Sequence, residues 1–88
     1  MAVLATIRSW GASLNVVFGD HALAEARADG YFAGDVLNVL EHAVEAVAQD
    51  DAGFKWKAYG PTADGTEYAV VVNVHADHLW VVTCHFPP

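Results

Sequence analysis

The chain has a single cysteine, Cys84, among 88 residues. No internal disulfide can form, and a reducing, cytoplasmic setting is the expected home. Bases are scarce: Arg8, Arg27, Lys55 and Lys57 face eleven acids, for a formal net charge of −7. Proteins that grip nucleic acid unaided neutralise phosphates with a cationic footprint, and four scattered bases supply little of one. The charge balance therefore disfavours RNA as a ligand; the acids serve to keep a hydrophobic small domain soluble, or else imitate nucleic acid to a protein partner with a basic surface. Apolar runs such as Ala69–Val72 are far too short to cross a bilayer. The start, Met1 to Arg8, has no basic region ahead of its apolar stretch and no small-residue cleavage site, so no signal peptide is expected. There is no glycine-rich phosphate loop and no serine nucleophile elbow. No cofactor is implied.

What is present is apolar bulk. Hydrophobic residues make up 55% and charged residues 17%, a balance that excludes intrinsic disorder. Residues 1–88 read as one compact α+β domain, a size that buries roughly 60–65% of the surface its unfolded chain exposes. Residues 2–8 read as a strand and Trp10–Ser13 as a turn, so that residues 14–18 return as a second strand of a hairpin. Asp20 can accept from the first turn of a helix over 20–29, which Gly30 stops. A second helix is expected over 34–49, where Val36, Leu40, Ala43, Val44 and Val47 recur at three- and four-residue steps. Its wet side carries Glu41 and Glu45 one turn apart, with Asp50 and Asp51 beyond. Phe54–Tyr59 alternates as a strand. Thr66–His75 and His78–Phe86 form a hairpin about Ala76-Asp77. That turn pairs Val74–Leu79, Val72–Val81, Val70–Thr83 and Tyr68–His85 on the face expected to meet the helices. Asn73–Trp80, Val71–Val82 and Ala69–Cys84 fall on the other. The order is β(β)ααβββ: two consecutive helices packed on one face of a small antiparallel sheet.

Several stretches carry a family resemblance. They are His21-Ala22-Leu23 through Arg27, Gly30 to Leu37 with Val39-Leu40, Trp56 to Gly60, Asp64-Gly65, Ala69–Val72 and Trp80 to Thr83. Over about residues 20–86 the chain resembles the RelE/BrnT-like bacterial toxins, and most of all a related family of short uncharacterised domains found beside toxin genes. The resemblance implies a toxin of a toxin–antitoxin type system: a metal-independent endoribonuclease held by an antitoxin protein. RelE-like toxins cut RNA with clustered Arg, Lys, His or Tyr on the sheet. The first helix of this chain keeps only Arg27 of the arginines usual there, so the implied catalytic set reduces to His85, Tyr68, Lys57 and His21. Such cleavage needs a base for the 2′-hydroxyl proton, a cation for the phosphorane charge and an acid for the leaving oxygen.

The alternative is a non-catalytic acidic interaction protein, an inhibitor or a phage anti-defence factor, that binds a basic partner through Trp80, Glu41 and Glu45. A homodimer is compatible with either reading. His75-Ala76-Asp77-His78 offers metal-ligand types at a hairpin tip. A zinc site wants three or four convergent ligands, and the polar turn is the simpler account, so no metal is expected. Cys84 and His85 are strand neighbours that point to opposite faces, which argues against a thiol–imidazole pair and for Cys84 as a small buried hydrophobe.

Overall fold

A computed structural model describes residues 2–88. The elements are α1 (Val3–Ser13), β1 (Val16–Phe18), α2 (Asp20–Ala28), α3 (Ala33–Glu41), β2 (Glu45–Ala48), β3 (Lys55–Pro61), β4 (Glu67–Val74) and β5 (Leu79–His85). The fold is α+β, as expected. Its five-stranded sheet has the order β1-β5-β4-β3-β2 and is antiparallel except where β1 runs parallel to β5.

The N-terminal third departs from expectation. Residues 3–8 of the expected strand and the supposed turn at Trp10 lie in one helix, α1, and no hairpin precedes α2. The apolar residues Val3, Leu4, Ile7 and Trp10 fall at helical spacing, and all four belong to or pack on the core. Gly11 sits where α1 crosses α3. A methyl group there would come within 2.8 Å of the Glu41 backbone nitrogen and 2.9 Å of Leu40 Cβ. A glycine read as a turn is in fact what lets two helices touch. Leu14, in the left-handed conformation at φ 64°, closes the helix, and β1 then takes an edge beside β5.

α2 runs as expected, except that Gly19, not Asp20, occupies the N-cap and Asp20 opens the first turn. Gly30, at φ 90°, turns the chain toward α3. α3 is shorter than expected: it ends at Glu41, and residues 45–48 form strand β2 against β3. Glu41 and Glu45 therefore do not share a helix face. The close approach of Gly60 to this corner explains the ending. A Cβ on Gly60 would meet the Val39 carbonyl at 2.5 Å and the Ala43 Cα at 3.1 Å, so β3 lies directly against the exit of α3.

The β4–β5 hairpin keeps the expected partners near its turn: Val74–Leu79, Asn73–Trp80 and Val72–Val81. A bulge between Val71 and Val72 then shifts the register, so that Val71 faces Thr83, Val70 faces Cys84 and Ala69 faces His85. The expected pairs Val71–Val82, Val70–Thr83, Ala69–Cys84 and Tyr68–His85 are all displaced by the extra residue, Val82. A bulge exchanges the faces of everything beyond it. Cys84, assigned to the outer face, is thereby turned into the core with Ile7, Val36, Leu40, Tyr68, Val70, Val72, Leu79 and Val81.

All helices contribute to that one cluster, on one side of the sheet. Burying each of its larger aliphatic side chains contributes about 1.5–3 kcal/mol. Among the described residues, no helix is long and apolar enough to cross a membrane.

Candidate functional site on the helix-free sheet face

Strand alternation assigns the opposite face. Its rows run Lys55–Asn73–Trp80, Val47–Lys57–Val71–Thr83 and Glu45–Tyr59–Ala69–His85, with Val17 beside Trp80. Ala69 and Val71 are buried on this face yet stand outside the helix-facing core cluster. What covers them is the ring of longer side chains in their own rows. Ala69 is 0% exposed between Tyr59 and His85, and Val71 lies between Lys57 and Thr83. Trp80 is 41% exposed.

Charge is unevenly shared. Both lysines of the chain lie on this face, and only Glu45 and Glu67 of the eleven acids do. Six other acids accept hydrogen bonds within the molecule. Glu25 accepts from the Thr83 hydroxyl and, at 3.3 Å, from the Cys84 N–H. Asp29 accepts from the Tyr68 hydroxyl at 2.6 Å. Asp35 accepts from the Phe32 and Ala63 N–H groups. Asp50 holds the N–H groups of Gly53, Phe54 and Lys55 in the β2–β3 turn. Asp64 binds Thr62 and Thr66, and those bonds, Thr62 first, hold its carboxyl below the ordinary range. Asp77 pairs with His78 at 2.8 Å, which lowers its carboxyl likewise. These six carboxylates thus hold turns, a helix start and strand ends in place while keeping their charge.

The four residues of the implied catalytic set are divided among three places. Lys57 and His85 share the helix-free face, one row and two strands apart, about 12 Å between Cα atoms by strand spacing and rise. Tyr68 points the other way, into the core. Its ring packs 5.1 Å from Tyr31 and 5.2 Å from Phe86. Burial, then the bonded Asp29, pushes its hydroxyl far above the ordinary value. His21 is exposed on α2, 3.5 Å from Glu25. The binding candidates are also separated: Trp80 and Glu45 lie on the helix-free face, whereas Glu41 ends α3 beside His42.

His85 has a defined chemistry. Its Nδ1 lies 2.8 Å from the Phe86 carbonyl, which can only accept. In the neutral ring this contact places the proton on Nδ1 and leaves the lone pair on Nε2. Tyr59, which the sequence reading passed over, stands in the same row across Ala69. The signal that could have found it is its parity with Lys55 and Lys57 in β3. His75 and His78 stack at 4.6 Å at the hairpin tip. Among the described residues, no group of three or more His, Cys, Asp or Glu is placed to hold a metal ion.

Fold and site together define a small α+β protein with three helices on one side of a mixed sheet and a lysine- and aromatic-bearing face on the other. The chain belongs to a family described as "Domain of unknown function (DUF4258)", whose model matches residues 18–84. That span begins at the end of β1 and leaves α1 outside it. Searches of the curated proteins and of the solved structures gave no match to this chain.

Proposed function

We propose that the helix-free sheet face engages single-stranded RNA, and that the protein is the RNA-directed member of a toxin–antitoxin type system, restrained by a protein partner. One observation carries the reading. Lys55, Lys57, Tyr59, Trp80 and His85 share a single face, while nine of the eleven acids lie elsewhere. Lysines track a phosphate backbone and exposed rings stack bases. The stretches that resemble RelE/BrnT-like toxins lend the system its name.

Metal-independent cleavage fits the residues of this face. Nε2 of His85 takes the proton of a 2′-hydroxyl, whose oxygen attacks the adjacent phosphorus. Lys57 neutralises the charge that grows on the phosphoryl oxygens. Tyr59 gives its proton to the departing 5′-oxygen as the P–O bond breaks, leaving a 2′,3′-cyclic phosphate. Tyr68 and His21, on the other side of the molecule, take no part.

The test is an RNA-cleavage assay on the purified chain, together with growth after induced expression. Cyclic-phosphate ends are expected, with a loss of about 100-fold or more in His85→Ala, a large loss in Lys57→Ala and no change in Tyr68→Phe beyond its effect on folding. Absence of both cleavage and growth arrest overturns the ribonuclease reading.

A second reading, a non-catalytic interaction protein, is favoured by the exposed apolar side chains of Val17, Val47 and Trp80 on the same face. It expects a protein complex that survives His85→Ala and is weakened by Trp80→Ala. If the partner is basic, reversing Glu41 and Glu45 weakens it as well.

A further inference from the structure

We infer that the free edge of β2 pairs with β2 of a second copy of this chain, in an antiparallel register centred on Val47. β2 is the last strand on its side of the sheet. Its pairing with β3 fixes which backbone groups point inward. The Gln49 N–H donates to the Lys55 carbonyl at 2.8 Å, so the residues at 45, 47 and 49 face β3. The N–H and C=O groups of Ala46 and Ala48 then point away from the sheet. Among the described residues no partner reaches those two N–H groups, and the Ala48 carbonyl is met only by the side-chain amide of Gln49, at 3.3 Å.

Sheet edges are commonly protected by lysine, proline or a bulge. Residues 44–49 read Val-Glu-Ala-Val-Ala-Gln and contain neither lysine nor proline. Both Val44 and Val47 are exposed, at 72% and 39%. The outward N–H groups of this edge are therefore open to pairing by another strand.

The occupant follows from self-complementarity. An antiparallel pair of two identical strands must bring outward-facing residues opposite one another. Centring the pair on Ala46 or on Ala48 opposes only that one residue to itself, for two hydrogen bonds. Centring it on Val47 opposes Ala46 to Ala48 twice, for four. That register also sets each Glu45 opposite Gln49 of the second copy rather than opposite another carboxylate, so like charges do not meet. The Gln49 amide, now folded back on Val47 and Ala48, can swing out to the facing Glu45. The two valines meet at the centre on the helix-free face. The two sheets join into one, and the Val47–Lys57–Val71–Thr83 row continues into its own copy. This inference stands apart from the RNA reading, since it requires only the edge.

The full chain is examined by sedimentation over a concentration series. The wild type should shift from the 9.4 kDa chain mass to twice that value as concentration rises. Ala48→Pro removes one outward N–H without touching a bond to β3, and Val47→Lys places two ammonium groups face to face. Each should remain folded by circular dichroism and stay monomeric. Val47→Cys should form an intermolecular disulfide on mild oxidation, because facing residues of a non-hydrogen-bonded pair bring their Cα atoms within about 4.5 Å. Glu45→Cys, which faces Gln49 in this register, should not. A wild type that stays monomeric, a dimer indifferent to both variants, or cross-linking through Glu45→Cys in place of Val47→Cys would overturn the inference.

Discussion

Glu25 shows how much one side chain can do at a strand edge. β1 covers β5 only as far as Val81, and the Gly19 N–H takes the Val81 carbonyl. Beyond that point the free edge of β5 is completed by the Glu25 carboxylate, which accepts from the Thr83 hydroxyl and the Cys84 N–H. Glu25→Ala strands both donors at a partly buried site, and a loss of about 1–3 kcal/mol in urea unfolding is expected. Glu25→Gln keeps an acceptor oxygen and should lose less. Equal losses would mean that charge, not bonding, is what matters there. Alkaline pH bears on the same region. Burial, then Glu25 and Asp29, pushes the Cys84 thiol from 9.0 to about 12, and Tyr68 is raised in the same direction. Both groups are harder to ionise in the folded chain than in the unfolded one. Their contribution is thus complete below pH 9 and fades as pH rises toward 12. The melting temperature should fall steadily from pH 9 upward, and Tyr68→Phe with Cys84→Ala should flatten that fall. A melting temperature as pH-dependent in the double variant as in the wild type would remove these two groups from the account.

Between elements, two glycines inside helices predict opposite outcomes for one substitution. Gly11→Ala pushes a methyl group into Leu40 and the Glu41 backbone. It should cost about 1–3 kcal/mol by prying α1 from α3. Gly34→Ala, in α3, meets nothing within 4 Å and should stabilise by about 0.4–1 kcal/mol, chiefly by stiffening the unfolded chain. Chemical denaturation of both variants checks the pair, and a stabilised Gly11→Ala would show that α1 is not seated as described. The same elements mark how far the sequence could be read. α2, β3 and the β4–β5 hairpin near its turn were legible because the Gly30 stop, strand alternation and turn residues agreed. α1 was not: Val3, Leu4 and Ile7 satisfy a strand's composition as well as a helix's spacing, and Gly11 looks like a breaker until its neighbour α3 is known. Residues 42–49 contain no proline or glycine, so helical and alternating patterns coexist, and the chain is settled by Gly60 closing on Val39 and Ala43. The bulge at Val82 left no mark in composition. Through it, the side of the sheet taken by Cys84 and by His85 was misassigned. The lysines of the site were legible from alternation in β3, and their company with Tyr59 and His85 was not.

For the molecule as a whole, net charge and local charge lead to different expectations. A chain at −7 should repel RNA, and the composition argues that way. Yet the helix-free face itself carries two lysines against two glutamates. Affinity for single strands built on that face must be weakly salt-dependent, because few phosphates are neutralised there. With two lysines engaged, the slope of log affinity against log salt should be about −1.4, at about −0.7 per phosphate on a single strand. Lys57→Ala should halve it, while Arg8→Ala and Arg27→Ala, on the helices, should leave it unchanged. Base stacking is much less salt-sensitive, so Trp80→Ala should weaken binding at every salt concentration by about 1–3 kcal/mol without altering the slope. A fluorescence titration of a short unstructured oligonucleotide across a salt series separates the two contributions. A slope that responds to the helix arginines and ignores Lys57 would move the contact to the other side of the molecule and leave the helix-free face to a protein partner.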